Sequence, residues 1–206
     1  MKFYRYLMKQ LILGLLALSL LGCGSDSEPA DNNAGQEDSG STNTATEDFG
    51  DFQVSSTAFN AGDTLPEDYA CSRDGGGDLS PPVTWSGAPE GVTEYALVMY
   101  HYPQGQTDNP SHYWLVWNIP SSINSLDAGN LESIGNEGSN KDGVAIGYTP
   151  PCSPGDAVHE YTIRVYALSA APEALGSSDN VSIGWAEFVA AVEPLSLGMT
   201  EFSFTN

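Results

Sequence analysis

Residues 79–100 read LSPPVTWSGAPEGVTEYALVMY and combine the two kinds of sequence that recur along the rest of the chain. The first part is punctuated by prolines and glycines, which favour loops and turns. The second part ends in the run Tyr95–Tyr100, which is rich in aromatic and β-branched residues. This run is nearly continuous in its apolar character, as expected of a strand that is covered on both faces. The stretch therefore predicts a β-strand in the interior of a fold made mainly of strands.

Two further runs of the same kind follow along the chain, Tyr113–Trp117 and Tyr161–Tyr166. Both are short and lie between segments rich in glycine, proline and asparagine, which is the pattern of strands joined by loops. The pair Pro150–Pro151, with Pro154 shortly after it, marks one such loop. Residues 52–206 are therefore predicted to form one mainly β domain that is long enough to bury a core of its own.

One helix is predicted near the end of the chain. Ser182 can cap its N-terminus. Apolar residues then follow at spacings of three to four and form one apolar face, consisting of Trp185, Phe188, Val189 and Val192. Residues 172–175, closed by Gly176, predict a further short helical turn.

The N-terminus has the pattern of an export signal. Three basic residues flank the start of an apolar run, Leu11–Leu21, which is about half as long as a membrane-spanning helix needs to be. The run ends in Leu-Leu-Gly-Cys at residues 20–23, which resembles the bacterial lipobox. We therefore predict a signal peptide at residues 1–22 and a lipid anchor, palmitate among its acyl chains, on Cys23. An ordinary signal peptide that happens to precede a cysteine is the alternative.

Residues 23–51 predict a disordered acidic tether between this anchor and the domain. They contain mainly small, polar and acidic residues, with no large apolar side chain before Phe49, so they cannot bury enough surface to fold. The domain is expected to contact the membrane only through its lipid. Gly24 is not the aspartate that retains lipoproteins at the inner membrane of enteric bacteria. We therefore expect the outer membrane, at its periplasmic or surface face, if the source is Gram-negative.

The charge of the chain limits its partners. Beyond residue 22 there are three cationic and 27 acidic side chains, which gives a formal charge of −24. A field of this sign repels the phosphate backbone, so we expect no nucleic-acid partner.

Export also bears on the cysteines. With Cys23 carrying the lipid, Cys71 and Cys152 remain as a pair in an oxidising compartment, and they are predicted to form a disulfide. The bridge would close a loop of about 80 residues. Two buried free thiols are the alternative.

Several segments resemble one known family when they are taken together and in order. The segment Leu79–Gly91 carries the pattern Ser-Pro-Pro-x-x-Trp-Ser-x-x-Pro-x-Gly, and it is followed by Trp114–Pro120, Pro151–Pro154 and His159–Tyr161. These segments resemble the phosphatidylethanolamine-binding protein family, in the bacterial branch called Raf-kinase-inhibitor-like or YbhB/YbcL. The resemblance implies a Greek-key β-sandwich with a short C-terminal helix against one edge.

The resemblance also implies a small pocket at the strand ends, which in this family binds anions such as phosphate or the phosphoethanolamine head group. The family builds this pocket from an Asp-Pro-Asp-x-Pro loop, a histidine on the next strand, and a Pro-Cys-x-Pro…His-x-Tyr stretch. Carried onto this chain, the predicted ligand-binding residues are His101, Tyr113, Pro151, Cys152, His159 and Tyr161.

The first half of this pocket departs from the family pattern. Residues 100–103 read Tyr-His-Tyr-Pro, so His101 stands about where the first aspartate belongs. Tyr113 stands at the position of the family's histidine, and His112 is expected to face solvent on the opposite side of the strand. An imidazole can donate a hydrogen bond where a carboxylate only accepts one. The site is therefore still expected to prefer a small anionic ligand or a phospholipid head group.

Other functions remain open at this point. His101 and His159 can be ordinary half-buried histidines, or converging imidazoles could hold zinc or copper, although no close His-x-His spacing supports a metal site. The altered pocket also suits a protein-interaction module, such as a protease or hydrolase inhibitor, because a fold can outlast its ligand site. The sequence has no Gly-x-Ser-x-Gly elbow around Ser86, so we predict no catalytic residues, no enzyme activity and no cofactor.

Overall fold

The computed structural model describes residues 51–104, 106–129, 131, 134–152 and 157–206. The strands in this part of the chain are β1 Gln53–Ser55, β2 Val83–Ser86, β3 Glu94–His101, β4 Ser111–Pro120, β5 Ser125–Leu126, β6 Asn136–Glu137, β7 Glu160–Leu168 and β8 Ser196–Thr205. The α-helix is α1 Trp185–Val192, and short 3-10 helices lie at Glu67–Tyr69, Ser72–Asp74, Glu173–Leu175 and Glu193–Leu195.

The strands form two antiparallel sheets. The smaller sheet has the order β1-β2-β5, and the larger sheet has the order β6-β4-β3-β7-β8. The predicted mainly β sandwich with one short helix is therefore confirmed, and its three predicted strands lie within β3, β4 and β7. The predicted helical turn is present as the 3-10 helix Glu173–Leu175, which Gly176 closes.

The larger sheet is buried on both faces, and this explains the unbroken apolar run in β3. Leu97 and Met99 contribute to a core cluster that includes β1, β2 and β5, whereas Ala96 and Val98 pack on the opposite side with residues of α1. Successive side chains of a strand point to opposite faces, so a strand with two covered faces needs apolar residues at every position. Residues 95–99 are accordingly 7% exposed or less.

The helix is confirmed, but its cap and its position differ from the prediction. Gly184, not Ser182, is the N-cap residue, and its backbone N–H donates to the Glu187 carboxylate at 3.2 Å. Phe188 and Val192 are fully buried against the outer face of the larger sheet, so the helix covers a face and not an edge. The apolar side chains that β3 and β4 present on that face require such a cover.

A polar network built around Arg164 lies on the same outer face. The guanidinium donates to the Glu201 carboxylate at 2.7 Å, to the Tyr100 hydroxyl at 2.9 Å and to the Tyr166 hydroxyl at 3.1 Å. Its side chain is only 17% exposed and lies over the Tyr100 ring, 5.2 Å from its centroid. Arg164 is thus a largely buried charge, and each of its three nitrogens donates to a partner, as the burial of a charge requires.

The predicted disulfide is present between Cys71 and Cys152, whose Cα atoms are 5.2 Å apart. The alternative of two free thiols is therefore wrong. The backbone N–H of Cys71 also donates to the Pro151 carbonyl at 3.1 Å, so the bridge fixes the segment around the Ser72–Asp74 3-10 helix beside the loop that follows Thr149.

The signal peptide, the lipid on Cys23 and the tether up to residue 50 lie outside the described residues and stay predictions. No helix in the described part of the chain is long and apolar enough to cross a membrane.

Candidate functional site

One end of the larger sheet brings the predicted site residues together. Strand β3 ends at His101 where β4 begins, and His101 pairs with Ser111 across this hairpin. Strand β7 begins beside them at Glu160, because Tyr100 pairs with Thr162. The end of β3 and the starts of β4 and β7 therefore meet at one place. This register brings together segments that lie about 60 residues apart in the sequence.

A β-bulge sets the direction of Tyr113. Met99 pairs with Trp114 and Tyr100 pairs with His112, so Tyr113 is the extra residue between them. Bulges bend a strand and redirect a side chain, and they are frequent next to functional sites. Tyr113 consequently joins the same buried cluster as its neighbour Trp114, toward the sandwich interior.

Four aromatic rings form a continuous series across this strand end. The ring centroids of His159 and His101 are 5.0 Å apart, those of His101 and Tyr161 are 5.1 Å apart, and those of Tyr161 and Tyr113 are 5.0 Å apart. Edge-to-face and tilted contacts at these distances are favourable for aromatic pairs. The four predicted side chains thus pack as one unit.

Asn206 holds the second half of this arrangement in place through hydrogen bonds. The backbones of His159 and Asn206 exchange hydrogen bonds of 2.9 and 3.0 Å, and the Asn206 side chain donates to the Pro151 carbonyl at 3.4 Å. Pro151 is therefore held close to the site through its backbone. Residues 153–156 of the predicted Pro-Cys-Ser-Pro loop lie outside the described residues.

Four of the six predicted ligand-binding residues border one of two hollows. The first, which we call the tyrosine hollow, has a volume of about 260 Å³ and is lined by Arg73, Tyr113, Lys141, Asp142, Thr149 and Cys152 among others. The second, which we call the histidine hollow, has a volume of about 220 Å³ and is lined by His101, Tyr102, Gln104, Val158, His159 and Glu160 among others. Among the described residues, Tyr113 and Cys152 thus line one hollow and His101 and His159 line the other, whereas the sequence analysis predicts one pocket.

The tyrosine hollow contains two of the three cationic side chains found beyond residue 22. Each pairs with the carboxylate that follows it: Arg73 Nη2 lies 2.8 Å from Asp74 Oδ2, and Lys141 Nζ lies 3.7 Å from Asp142 Oδ1. These are exposed pairs, and such pairs contribute about 0–1 kcal/mol. Both cations can therefore change partners at small cost.

Sequence reasoning missed Arg73 and Lys141 as site residues. Arg73 is placed by the disulfide, which lies two residues before it. Lys141 is placed through Thr149, whose side-chain hydroxyl accepts the Lys141 backbone N–H at 2.9 Å and whose own N–H donates to the Tyr113 carbonyl at 2.7 Å. The signal that could have found them is their rarity, since only Arg164 remains as another cation after residue 22.

The Tyr113 phenol stays a hydrogen-bond donor at physiological pH. Burial raises its pKa, and the neighbouring Tyr161, through its charge and a side-chain hydrogen bond, raises it further. Lys141 Nζ lies 5.8 Å from the centroid of the Tyr113 ring, so a positive charge and a phenol face the same hollow. A group that binds here meets donors and cations together.

His112 does not face solvent as predicted. It is half-buried, and its Nε2 is 3.0 Å from the hydroxyl oxygen of Ser139, a residue that is itself 3% exposed. Burial lowers the pKa of His112. The loop after β6 and the start of α1 cover this side of β4, which sequence periodicity alone did not reveal.

A larger hollow of about 600 Å³ lies elsewhere and is chemically different. Its lining includes Asn118, Asn136, Glu137 and Asp179, and none of the described residues that line it is cationic or an imidazole. Burial and the charge of Asp179 raise the pKa of Glu137, although the indole N–H of Trp114 donates to this carboxyl at 2.6 Å. Two carboxyl groups make this hollow unsuitable for an anion.

The raised pKa of Glu137 predicts a pH-dependent cost to stability. Because the folded state holds this proton more tightly than the unfolded state, the free energy of unfolding falls as pH rises from the ordinary value of about 4.5 to the higher folded pKa. Glu137→Gln removes that cost and keeps an acceptor for Trp114. We expect a higher melting temperature than wild type at pH 7 and no difference at pH 4. The exposed control Glu90→Gln should have the melting temperature of wild type at both pH values. A wild type that equals Glu137→Gln at both pH values would contradict the assignment.

The described residues contain one group of three possible metal ligands within reach of one ion, namely Cys71, Asp74 and Cys152. Its two sulfur atoms are joined in the disulfide and are not thiolates, so this group does not fit a metal ion. His101 and His159 are also close to each other, but they are two residues and not part of such a group of three.

The fold and the site define a two-sheet β-sandwich with paired hollows where β3, β4 and β7 meet. The sequence profile of the phosphatidylethanolamine-binding protein family matches residues 55–204, and the chain belongs to this family. It is 37% identical over 127 residues to the UPF0098 protein YbcL of Escherichia coli (strain K12), covering 57% of this chain and 68% of that protein. It is also 34% identical over 130 residues to a UPF0098 protein of Aquifex aeolicus, covering 61% of this chain and 71% of that protein.

Solved structures agree with this assignment. The crystal structure of E. coli YbcL, described as a member of the mammalian PEBP family, matches with a TM-score of 0.65 and 28% identity over 76% of this chain and 98% of that one. The PEBP homologue CT736 of Chlamydia trachomatis matches with a TM-score of 0.64 and 26% identity over 75% of this chain and 96% of that one. The family resemblance of the sequence is therefore confirmed.

Proposed function

We propose that this protein binds a small phosphate-like anion, free or as the head group of a phospholipid, in the tyrosine hollow, and that it does so without catalysing a reaction. The observation that carries the proposal is the location of Arg73 and Lys141. In a chain with 27 acidic side chains after residue 22, two of its three cations flank one hollow beside a buried tyrosine. The family to which the chain belongs is named for binding phosphatidylethanolamine, whose head group carries a phosphate.

The donors of the tyrosine hollow fit a tetrahedral oxyanion. Arginine presents a planar fork of N–H groups and lysine a compact charge, and both bind phosphate through charge-assisted hydrogen bonds. Because the Arg73–Asp74 and Lys141–Asp142 pairs are exposed and weak, an anion can displace the carboxylates. The surrounding negative field opposes binding at long range, so recognition depends on these directed short-range contacts.

The charge pairs allow a test with two opposite variants. Lys141→Gln should lower the affinity for inorganic phosphate or phosphoethanolamine by about tenfold or more, since a hydrogen bond to a charged group is worth about 1.5–3 kcal/mol. Asp142→Asn should raise the affinity, because it frees Lys141 and removes a repelling charge. Calorimetric titration of the full chain in detergent measures both.

His112→Gln is the control for general effects of a substitution on the fold. It changes a residue outside the tyrosine hollow and should leave the phosphate affinity unchanged. Equal affinities in Lys141→Gln, Asp142→Asn and wild type would overturn the proposal, as would no heat of binding at millimolar phosphate.

The proposed binding domain is held on the cell envelope by a lipid on Cys23, which the lipobox-like residues 20–23 support. Two or more acyl chains suffice for stable anchoring, whereas one does not. Cys23→Ser should move the protein from the membrane fraction to the soluble fraction of the envelope. A variant that stays with the membrane would contradict the anchor and leave the binding proposal untouched.

A second candidate function is a protein-interaction module, such as a protease or hydrolase inhibitor. It is favoured by apolar side chains exposed on the loops around the two hollows, with Val144 79% exposed and Val158 75% exposed. A protein partner that covers these side chains removes apolar surface from water. A stoichiometric partner that is retained by wild type and lost by Val144→Asp and Val158→Asp would support this function. The absence of any such partner in an envelope extract would count against it.

A further inference from the structure

The hydrogen bonding of His101 fixes which of its nitrogens carries a lone pair. Its Nδ1 lies 2.8 Å from the backbone carbonyl oxygen of Glu160. A carbonyl oxygen only accepts, so Nδ1 must be the protonated nitrogen that donates. In the neutral ring, Nε2 then carries the lone pair. Histidines that ligate metals are oriented in this way, by donating their other ring N–H to a carbonyl or a carboxylate.

The second imidazole of the histidine hollow has an unsatisfied nitrogen. Among the residues that the structure describes, His159 Nε2 is buried and has no hydrogen-bond partner. Buried polar atoms in folded proteins nearly always have a hydrogen-bond partner, so this nitrogen is a candidate for binding a ligand. The backbone hydrogen bonds between His159 and Asn206 hold this residue in place.

The two rings are close enough together for one ion to reach both. A metal–nitrogen distance of about 2.0–2.1 Å places each ring centroid about 3.2 Å from the ion. At a tetrahedral angle the two centroids are then about 5.2 Å apart. The observed centroids of His101 and His159 are 5.0 Å apart.

The charge around the histidine hollow favours a cation. Glu160 lines the hollow, and no Lys or Arg is among its described lining residues, in contrast to the tyrosine hollow. The formal charge of −24 beyond residue 22, from three cationic and 27 acidic side chains, raises the local concentration of cations and lowers that of anions. The two neighbouring hollows therefore offer opposite binding chemistry.

From these four observations we infer that His101 and His159 form a binding site for a borderline divalent cation of the Cu²⁺ or Zn²⁺ class. Imidazole nitrogen is a preferred ligand of both ions. The remaining coordination positions open into the hollow of about 220 Å³ and are filled by water. This site is separate from the proposed anion site in residues and in charge.

Titration of the full chain with Cu²⁺ or Zn²⁺ alone tests the inference, with calorimetry and melting temperature as readouts. We expect one strong site per chain, with Cu²⁺ tighter than Zn²⁺ in accordance with the Irving–Williams order. His101→Gln and His159→Gln should each lower the affinity at least tenfold and abolish the metal-induced rise in melting temperature. His112→Gln is the matched control, because it removes the only other histidine of the chain and should leave the strong site intact.

Acidic side chains elsewhere also attract cations, so the variants decide the outcome. If His101→Gln and His159→Gln bind Cu²⁺ and Zn²⁺ as wild type does, the ions sit on surface carboxylates and the inference is overturned. The same follows if Mg²⁺ competes as well as Zn²⁺ does, because Mg²⁺ prefers oxygen ligands. Lys141→Gln keeps the two proposals distinguishable, because it should lower the affinity for phosphate and leave the affinity for Cu²⁺ unchanged.

Discussion

Replacing both Cys71 and Cys152 by serine is expected to lower the free energy of unfolding by about 4.5 kcal/mol, the value that the chain-entropy description gives for a loop of this size. The two residues lie 81 positions apart, so the reduced, unfolded chain gains much conformational freedom. For a domain whose total stability is about 5–15 kcal/mol, this is a large fraction. Urea or thermal denaturation of the full chain, with and without a reducing agent, measures the change.

The same variant should also weaken phosphate binding. The bridge places Arg73 at the tyrosine hollow, and Cys152 itself lines that hollow. A reducing agent should destabilise wild type and leave the double variant unchanged, which serves as the internal control. Two titratable thiols from residues 71 and 152 in unreduced, denatured protein would show that the bond does not form.

Replacing Arg164 by methionine is expected to destabilise the domain by about 3 kcal/mol. The change keeps an apolar stem against the Tyr100 and Tyr166 rings but leaves both phenol oxygens without the donor that they accept from. The Glu201 carboxylate loses its charged donor and keeps only the Tyr100 hydroxyl, at 3.1 Å. We place the effect at the lower end of the range for broken buried pairs because the Glu201 side chain is 44% exposed and can rehydrate.

Arg73→Met is the matched control for this prediction. Arg73 also forms a close ion pair, with Asp74, but its side chain is 59% exposed. Exposed pairs contribute little, so the free energy of unfolding should change by less than about 1 kcal/mol. Equal losses of stability in Arg164→Met and Arg73→Met would contradict the view that burial, and not the ion pair as such, makes the Arg164 network important.

The strands were predictable from the sequence because burial on both faces leaves a pattern in the strand's own residues. A strand that is buried on both faces must be apolar at consecutive positions, and the run Tyr95–Tyr100 shows this directly. The helix was predictable for the same reason, through the spacing of Phe188 and Val192. Its cap was less predictable, because Gly184 has no side chain to signal the role and the Glu187 carboxylate completes the cap from within the helix.

The site was predictable only in part. The order of the family-like segments predicted that four aromatic side chains lie close together. Their rings do form one series, which consists of His159, His101, Tyr161 and Tyr113. The division into two hollows did not follow, because the bulge at Tyr113 depends on how β3 and β4 pair. The two cations at the tyrosine hollow were missed because a disulfide and a loop hydrogen bond bring them there from distant positions.

The most direct test of the account is a crystal structure of the protein grown with phosphate. The account predicts tetrahedral density in the tyrosine hollow, within hydrogen-bond distance of the Tyr113 hydroxyl and the Lys141 ammonium group, with the Lys141–Asp142 pair opened. Phosphate bound between His101 and His159 instead, or a tyrosine hollow filled only by water at millimolar phosphate, would contradict it.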